Sequence, residues 1–414
     1  MINRLFTILL FLFVTNQLTA QNIDYTKKII NELCSEEMAG RGYVNKGDKN
    51  AATYINKQLK AFNTNFFDKN YFQKLSFPIN TFPGNMQLEI NAKKLKAVDE
   101  FVVSPNCPTI KGRFPIVYLP ATADTVDAIF DSIVKIDFSG KFVVAPFKKR
   151  SLTRNNPLKA AGVIVPKESL IWWASTGFEV AKTPLILVQD SLLSDSAKSI
   201  SLNVENNFIE DYKTQNVVAF IPGTEKADSF IVFTAHYDHL GLMGKGNMFA
   251  GANDNASGVA MLLNLAEHYS KTENKPKYTT VFLFFTGEES GLRGSKHFAQ
   301  NPLFNLQKIK ALINLDMVGS GSEGIAIVNG KENKRISNRL KSINDQKDYF
   351  PNVLIRGESC NSDHCFFHKA GVASVFIYTR GKEHKDYHNL HDTPDRLPLT
   401  KFSALFNLLV DYGR

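Results

Sequence analysis

From Asn216 onward the chain alternates strongly apolar stretches with amphipathic ones, and this alternation constrains the fold more than any other feature. Residues 217–221, 230–234, 280–285, 311–315 and 373–378 read as strands with hardly a polar side chain, and 256–269 reads as a helix. A strand that is apolar on both faces must be covered on both. Strands of that kind interleaved with helices predict an α/β sandwich.

Upstream the texture differs. Residues 24–33 and 51–62 have helical apolar spacing, with Gly40, Gly42 and Gly47 in the loop between them. From about Asn80 come short strand-like pieces, 87–90, 115–119, 141–145, 162–165 and 184–188, separated by turn residues, which predict a β-rich module. At 414 residues the length suits about two domains. With 43% hydrophobic and 21% charged residues, the chain is neither disordered nor coiled-coil in composition, and it can build a sizeable core.

The net charge is +9. Its Lys and Arg residues are scattered, and the densest groups, Lys93-Lys94-Leu95-Lys96 and Lys148-Lys149-Arg150, lack the interleaved aromatics of single-strand binders, so no nucleic-acid partner is expected. Arg4, the apolar run 5–14 and Thr19-Ala20 have the form of an export signal over residues 1–20, leaving Gln21 first. That run is shorter than the roughly 20 apolar residues of a membrane span, and no Cys follows the cleavage point for a lipid anchor, so a periplasmic or extracellular chain with no transmembrane segment is expected. Four cysteines remain, Cys34, Cys107, Cys360 and Cys365; the last two could close a small loop, although the sequence leaves the pairing open.

Chemistry concentrates just beyond the apolar strands. Carboxyl ends of strands in open α/β sheets are where binding crevices form. After 230–235 comes His236-Tyr237-Asp238-His239, in which alternation puts His236 and Asp238 on one side, a metal ligand with its orienting carboxylate. Before the helix at 256 stands Gly251-Ala252-Asn253-Asp254-Asn255, where Asn or Asp could equally be a helix cap. Thr286-Gly287-Glu288-Glu289 offers two adjacent carboxylates that can face different ways, and Asp316 ends an apolar strand where an unpaired charge is costly. Tyr387-His388-Asn389-Leu390-His391-Asp392 adds imidazoles near the end of the chain.

In this order the motifs resemble the zinc-dependent exopeptidase family of bacterial leucyl aminopeptidase, aminopeptidase S and glutamate carboxypeptidase II, with glutaminyl cyclase more distant. The resemblance implies a three-layer α/β sandwich with a mixed, mostly parallel central sheet, formed by residues 21–79 and 212–414. It makes Asp254 the carboxylate shared by two metals, with His236 and Asp316 completing one site and Glu289 and His388 the other. Glu288 becomes the general base, Asp238 orients His236, and Tyr387 donates to the oxyanion. Ser362-Asp363-His364 resembles a pocket-lining motif, which makes His364 a substrate contact; His239 and His391 fall outside the ligand pattern. Two Zn²⁺ per chain are implied, Co²⁺ or Mn²⁺ being possible substitutes, and three carboxylates against two divalent cations suit a hydroxide.

The activity implied is an aminopeptidase acting on peptides, with a glutaminyl-cyclase-like acyltransferase and a carboxypeptidase or dipeptidase as alternatives. Residues 80–211 resemble the protease-associated domain often inserted in this family. The usual role of that domain is a lid or interaction surface without chemistry of its own, and Trp172-Trp173 within it read as a packed aromatic pair, with a contact patch as the alternative. Nothing in the sequence sets an oligomeric state.

Overall fold

The computed structural model describes residues 22–120, 131–145, 156–173, 178–193 and 197–414. The expected export signal and the Lys148-Lys149-Arg150 group lie outside the described residues. No described helix is long and apolar enough to cross a membrane.

The described strands are β1 (Phe72–Thr81), β2 (Met86–Ile90), β3 (Lys93–Leu95), β4 (Phe101–Val103), β5 (Ile110–Tyr118), β6 (Phe142–Val144), β7 (Gly162–Lys167), β8 (Leu185–Gln189), β9 (Ser199–Val204), β10 (Asn207–Ile221), β11 (Lys226–His236), β12 (Tyr278–Phe285), β13 (Ile309–Leu315), β14 (Gly324–Val328), β15 (Val353–Ile355) and β16 (Ser374–Arg380). They form two sheets of eight. The first has the order β1-β10-β12-β11-β13-β16-β14-β15 and the second β3-β2-β9-β5-β6-β7-β8-β4. In the first sheet β12, β11, β13 and β16 run parallel, while β10 and β1 are added antiparallel at one side and β14 pairs antiparallel with β16 at the other.

The apolar strands are explained by what lies on each face. Side chains alternate across a strand. Along β11, Ile231, Phe233 and Ala235 enter one core and Phe230 and Val232 the other; along β12, Phe282 and Phe284 face the first, and Val281, Leu283 and Phe285 the second. Helices α1 (Ile23–Leu33), α2 (Gly47–Ala61), α3 (Gly258–Ser270), α5 (Lys334–Lys347) and α7 (Phe402–Gly413) cover the first face. Helices α4 (Arg293–Gln300) and α6 (His364–Lys369) cover the second through Phe298 and Phe367. The result is the expected three-layer α/β sandwich. Helix α3 lies against the sheet with every residue from Gly258 to Ala266 buried, which is why its sequence is apolar nearly all round.

The second sheet takes residues 86–204, a few positions inside the expected 80–211. The difference lies in β1 and β10, which pair from Phe72↔Val217 to Thr81↔Asn207 and belong to the first sheet. Pro78 interrupts that ladder, whose register shifts between Phe77 and Ile79, as happens where a residue has no N–H to donate. One core of the second module is continued by Leu240, Met243 and Phe249 from the α/β half. Cys360 and Cys365 are joined in a disulfide, while Cys34 and Cys107 are buried thiols.

Candidate metal centre

His236 is the last residue of β11 and is fully buried, with its Nδ1 3.2 Å from the main-chain carbonyl of Asp238. Because a carbonyl only accepts, Nδ1 carries a hydrogen, and the ring is turned so that Nε2 faces the cluster. The Asp238 carboxylate is farther from the ring, at 3.8 Å. It accepts instead from the backbone N–H of Glu288 (3.1 Å) and Glu289 (3.3 Å) and from the Tyr43 hydroxyl (2.7 Å). Asp238 therefore orients His236 through its main chain, and its carboxylate fixes the Glu288-Glu289 loop.

The loop 251–255 is held from three sides. Arg41, fully buried between Gly40 and Gly42, spreads its guanidinium over the carbonyls of Tyr237, Leu33, Ala250, Gly251 and Asp254 at 2.6 to 3.1 Å. The Asp392 carboxylate accepts from the N–H groups of Asn253 (2.8 Å) and Asp254 (3.0 Å). Gly251 takes φ +62°, and a Cβ there would lie 2.2 Å from the Asp254 carbonyl oxygen. The capping role falls to Asn255, whose Oδ1 accepts from the Gly258 N–H at the start of α3, leaving the Asp254 carboxylate for the cluster. The peptide bond between Asp254 and Asn255 is cis.

The side chains converge in a single arrangement. His236 Nε2 lies 3.3 Å from Asp254 Oδ1 and 3.2 Å from Asp316 Oδ1; His388 Nε2 lies 3.1 Å from Asp254 Oδ2 and 3.3 Å from Glu289 Oε2. Each imidazole nitrogen thus has two carboxylate oxygens at nearly equal distance, which one N–H cannot serve. Two ligand atoms on a tetrahedral zinc, with bonds of about 2.0 Å, are about 3.3 Å apart. The donor set therefore fits a pair of small divalent cations sharing Asp254. Donor atoms of His236, Asp254 and Asp316 also lie within 4.8 Å of one another, as do those of His239, Asp254 and Glu289.

Electrostatics point the same way. Burial disfavours charge on His388, yet Glu289 and Asp254 push its pKa up to about 11, and Asp316 and Glu288 raise His236 well above the ordinary imidazole range despite burial. Burial likewise opposes ionisation of Glu289, but His388 and His239 hold it down to about 2. Such a carboxylate cluster draws in positive charge. Burial, with Glu289 and Asp316 nearby, moves Glu288 well above the usual carboxylate range. Burial and the surrounding carboxylates also keep the Tyr387 phenol protonated, hence a donor; its ring is stacked 3.9 Å from that of His388.

Other residues depart from expectation. His364 is wholly buried with Nε2 2.9 Å from the Ser359 carbonyl, so it has no surface with which to contact a substrate; its neighbour Ser362 instead donates to Asp316 Oδ2 at 2.8 Å. His239 is buried beside the cluster, Nδ1 2.7 Å from Glu289 Oε1, whereas His391 is exposed. The second module also reaches the centre. His388 Nδ1 donates to the Trp172 carbonyl at 2.9 Å, so a main-chain atom of the module touches one of the imidazoles of the cluster. Trp172 and Trp173 do not pair: Trp172 is buried and stacked on Phe249 at 5.0 Å, and Trp173 is 53% exposed against the rings of Tyr387 and His388.

Residues 216–412 match the family model of peptidase family M28. This part of the chain belongs to that family. Among curated proteins, the chain is 26% identical over 238 residues to a probable leucine aminopeptidase of Arthroderma otae, covering 55% of this chain and 62% of that one. It is also 26% identical over 230 residues to leucine aminopeptidase 1 of Fusarium vanettenii, covering 52% and 57%. The chain thus spans about six tenths of the length of these relatives. The fold is shared over nearly its whole length with a zinc aminopeptidase from Bacillus subtilis (TM-score 0.71, 18% identity, 95% of this chain and 94% of that one). An aminopeptidase from Aneurinibacillus sp. strain AM-1 is similar (TM-score 0.66, 20% identity, 95% and 93%).

Proposed function

We propose that the chain is a zinc-dependent aminopeptidase that removes N-terminal residues from peptides. The observation that carries this reading is the pair of imidazole nitrogens, His236 Nε2 and His388 Nε2, each flanked by two carboxylate oxygens with Asp254 common to both. Two Zn²⁺ are held in this reading, one by His236, Asp254 and Asp316 and the other by Asp254, Glu289 and His388. Bound there, divalent cations polarise a scissile carbonyl and acidify water.

The chain's own groups do the rest. Glu288, fixed by its N–H on the Asp238 carboxylate, takes the proton of the attacking water and delivers it to the leaving amine. Tyr387, kept protonated by burial and by the carboxylates around it, donates to the developing oxyanion. His239 holds Glu289 in place from its other oxygen. The family assignment and the leucine aminopeptidase relatives support the same reaction. Export is part of the proposal, and the Cys360–Cys365 disulfide supports it, because such bonds persist outside the reducing cytosol.

The test is a panel of aminoacyl-anilides, N-blocked peptides and C-terminally blocked peptides, assayed with and without a chelator. Cleavage of substrates with a free amino terminus, abolished by the chelator and restored by zinc, is the expected result. Cleavage confined to N-blocked peptides with a free carboxyl terminus would make the enzyme a carboxypeptidase.

A further inference from the structure

The two imidazoles at the centre are held in different ways. His236 stands at the end of a central strand and its Nδ1 finds a carbonyl two residues along the same chain. His388 belongs to no regular element, has φ +51°, and finds its Nδ1 partner on the second module, 216 residues away in sequence. The contact is reciprocal, since the Trp172 N–H returns a bond to the His388 carbonyl at 3.3 Å. Trp172 is itself anchored: its Nε1 donates to the Val103 carbonyl at 3.0 Å, and its ring stacks on Phe249, just ahead of the Ala250–Asp254 loop. Trp173 lies edge-on to the His388 ring at 4.7 Å. A second foot stands nearby, where the guanidinium of Arg293 covers the Phe178 ring at 3.7 Å while its Nε donates to the Ser290 carbonyl.

A histidine whose Nδ1–H is bound to a carbonyl presents Nε2 in one tautomer and one orientation. Without that partner the ring can turn or protonate elsewhere. The geometry points to the Trp172-Trp173 segment as a positioning clamp that makes one of two zinc sites conditional on docking of the second module, an inference that rests on the two-zinc reading above. The site of His236 and Asp316 is complete within the α/β half. The site of Glu289 and His388 is complete only when the module is seated.

The full chain, stripped of metal, is titrated with zinc against a chromogenic chelator while tryptophan emission is followed. The chain has two tryptophans, Trp172 and Trp173, both on the clamp, so emission reports the clamp alone. Whatever docking contributes to zinc affinity, zinc returns to docking. The expected result is two equivalents, with emission changing during one and flat during the other. Trp172→Ala, its fold verified by circular dichroism, is expected to bind one equivalent as the parent does and the other about 10- to 100-fold more weakly. Trp172→Phe, which keeps a ring on Phe249, is expected to stay near the parent. Emission indifferent to both equivalents, or a folded Trp172→Ala chain with two equivalents of parental strength, overturns the clamp and leaves the hydrolytic reading standing. A parent chain that takes up a single equivalent overturns the two-zinc reading and the clamp with it.

Discussion

Adjacent residues with different tasks should fail differently. Glu288→Gln keeps size and hydrogen bonding but removes the proton acceptor, so zinc content should persist while kcat falls by about 10² to 10⁴. Glu289→Gln should loosen one zinc and recover partly in excess zinc; metal analysis alongside kcat separates the two outcomes. Arg41 offers a different kind of test. Its guanidinium serves five carbonyls in a fixed fork, a pattern that the single ammonium of Arg41→Lys cannot match. Buried carbonyls left unpaired cost about 1–3 kcal/mol each, so urea denaturation should show a loss of at least about 2 kcal/mol. His236 and Asp316 were legible because each ends an apolar strand, where an unpaired polar group is costly, whereas Asp254, Glu289 and His388 stand in polar loops and were legible only through the order of motifs that carries the family resemblance. Arg41, Tyr43 and Asp392 were not, because they act on backbone atoms of distant loops and such bonds leave no spacing in the sequence. His364 misled for the opposite reason: the motif around it is present, yet Ser362 is the member that touches the cluster.

Elements show the same division. Strands buried on both faces announce themselves, whereas β1 was missed because its burial is irregular and Pro78 breaks the ladder. The ribbon of β1 and β10 matters to the first turn of α2, where Asp48 is wholly buried and accepts from Tyr212 (2.5 Å) and Thr214 (2.7 Å) of β10. Burial raises its pKa from 3.8 to about 6, against the opposing effect of those two hydroxyls. An acid whose folded pKa is raised keeps its proton longer in the native state than in the unfolded one. Asp48 therefore contributes less and less to stability as pH climbs from about 4 to about 6, and nothing further changes above that. The swing is on the order of 3 kcal/mol at about 1.36 kcal/mol per pKa unit. Asp48→Asn does not titrate, so urea denaturation of both chains at pH 4 and pH 7 should show the variant gaining on the parent by that amount. A constant difference would mean that Asp48 is ionised throughout.

At the scale of the whole molecule, the second module hangs from the end of the β1–β10 ribbon, entering after Thr81 and returning at Asn207. Replacing residues 82–206 by a tight turn should leave the first sheet intact while uncovering Leu240, Met243 and Phe249. A module that only screened the cleft would leave a small anilide cleaved at the parental rate. With the Trp172 carbonyl removed from His388, kcat on that anilide should instead fall at least about tenfold. The ribbon also has a consequence for the order in which the chain assembles. Thr81 and Asn207 are 126 residues apart, and closing a loop of that length from the unfolded chain costs about 4 kcal/mol in entropy. Once the module's own sheet exists, Met86 and Val204 are already partners, and only a few residues separate them from the ribbon. Nucleation of the module thus brings β1 to β10 at little further entropic cost, and β1 draws in the helices that precede it, with Arg41 between them. On that route the loop bearing Asp254 is locked by Arg41 only after the ribbon has closed, so the two ends of the site's scaffold are joined through the module's sheet.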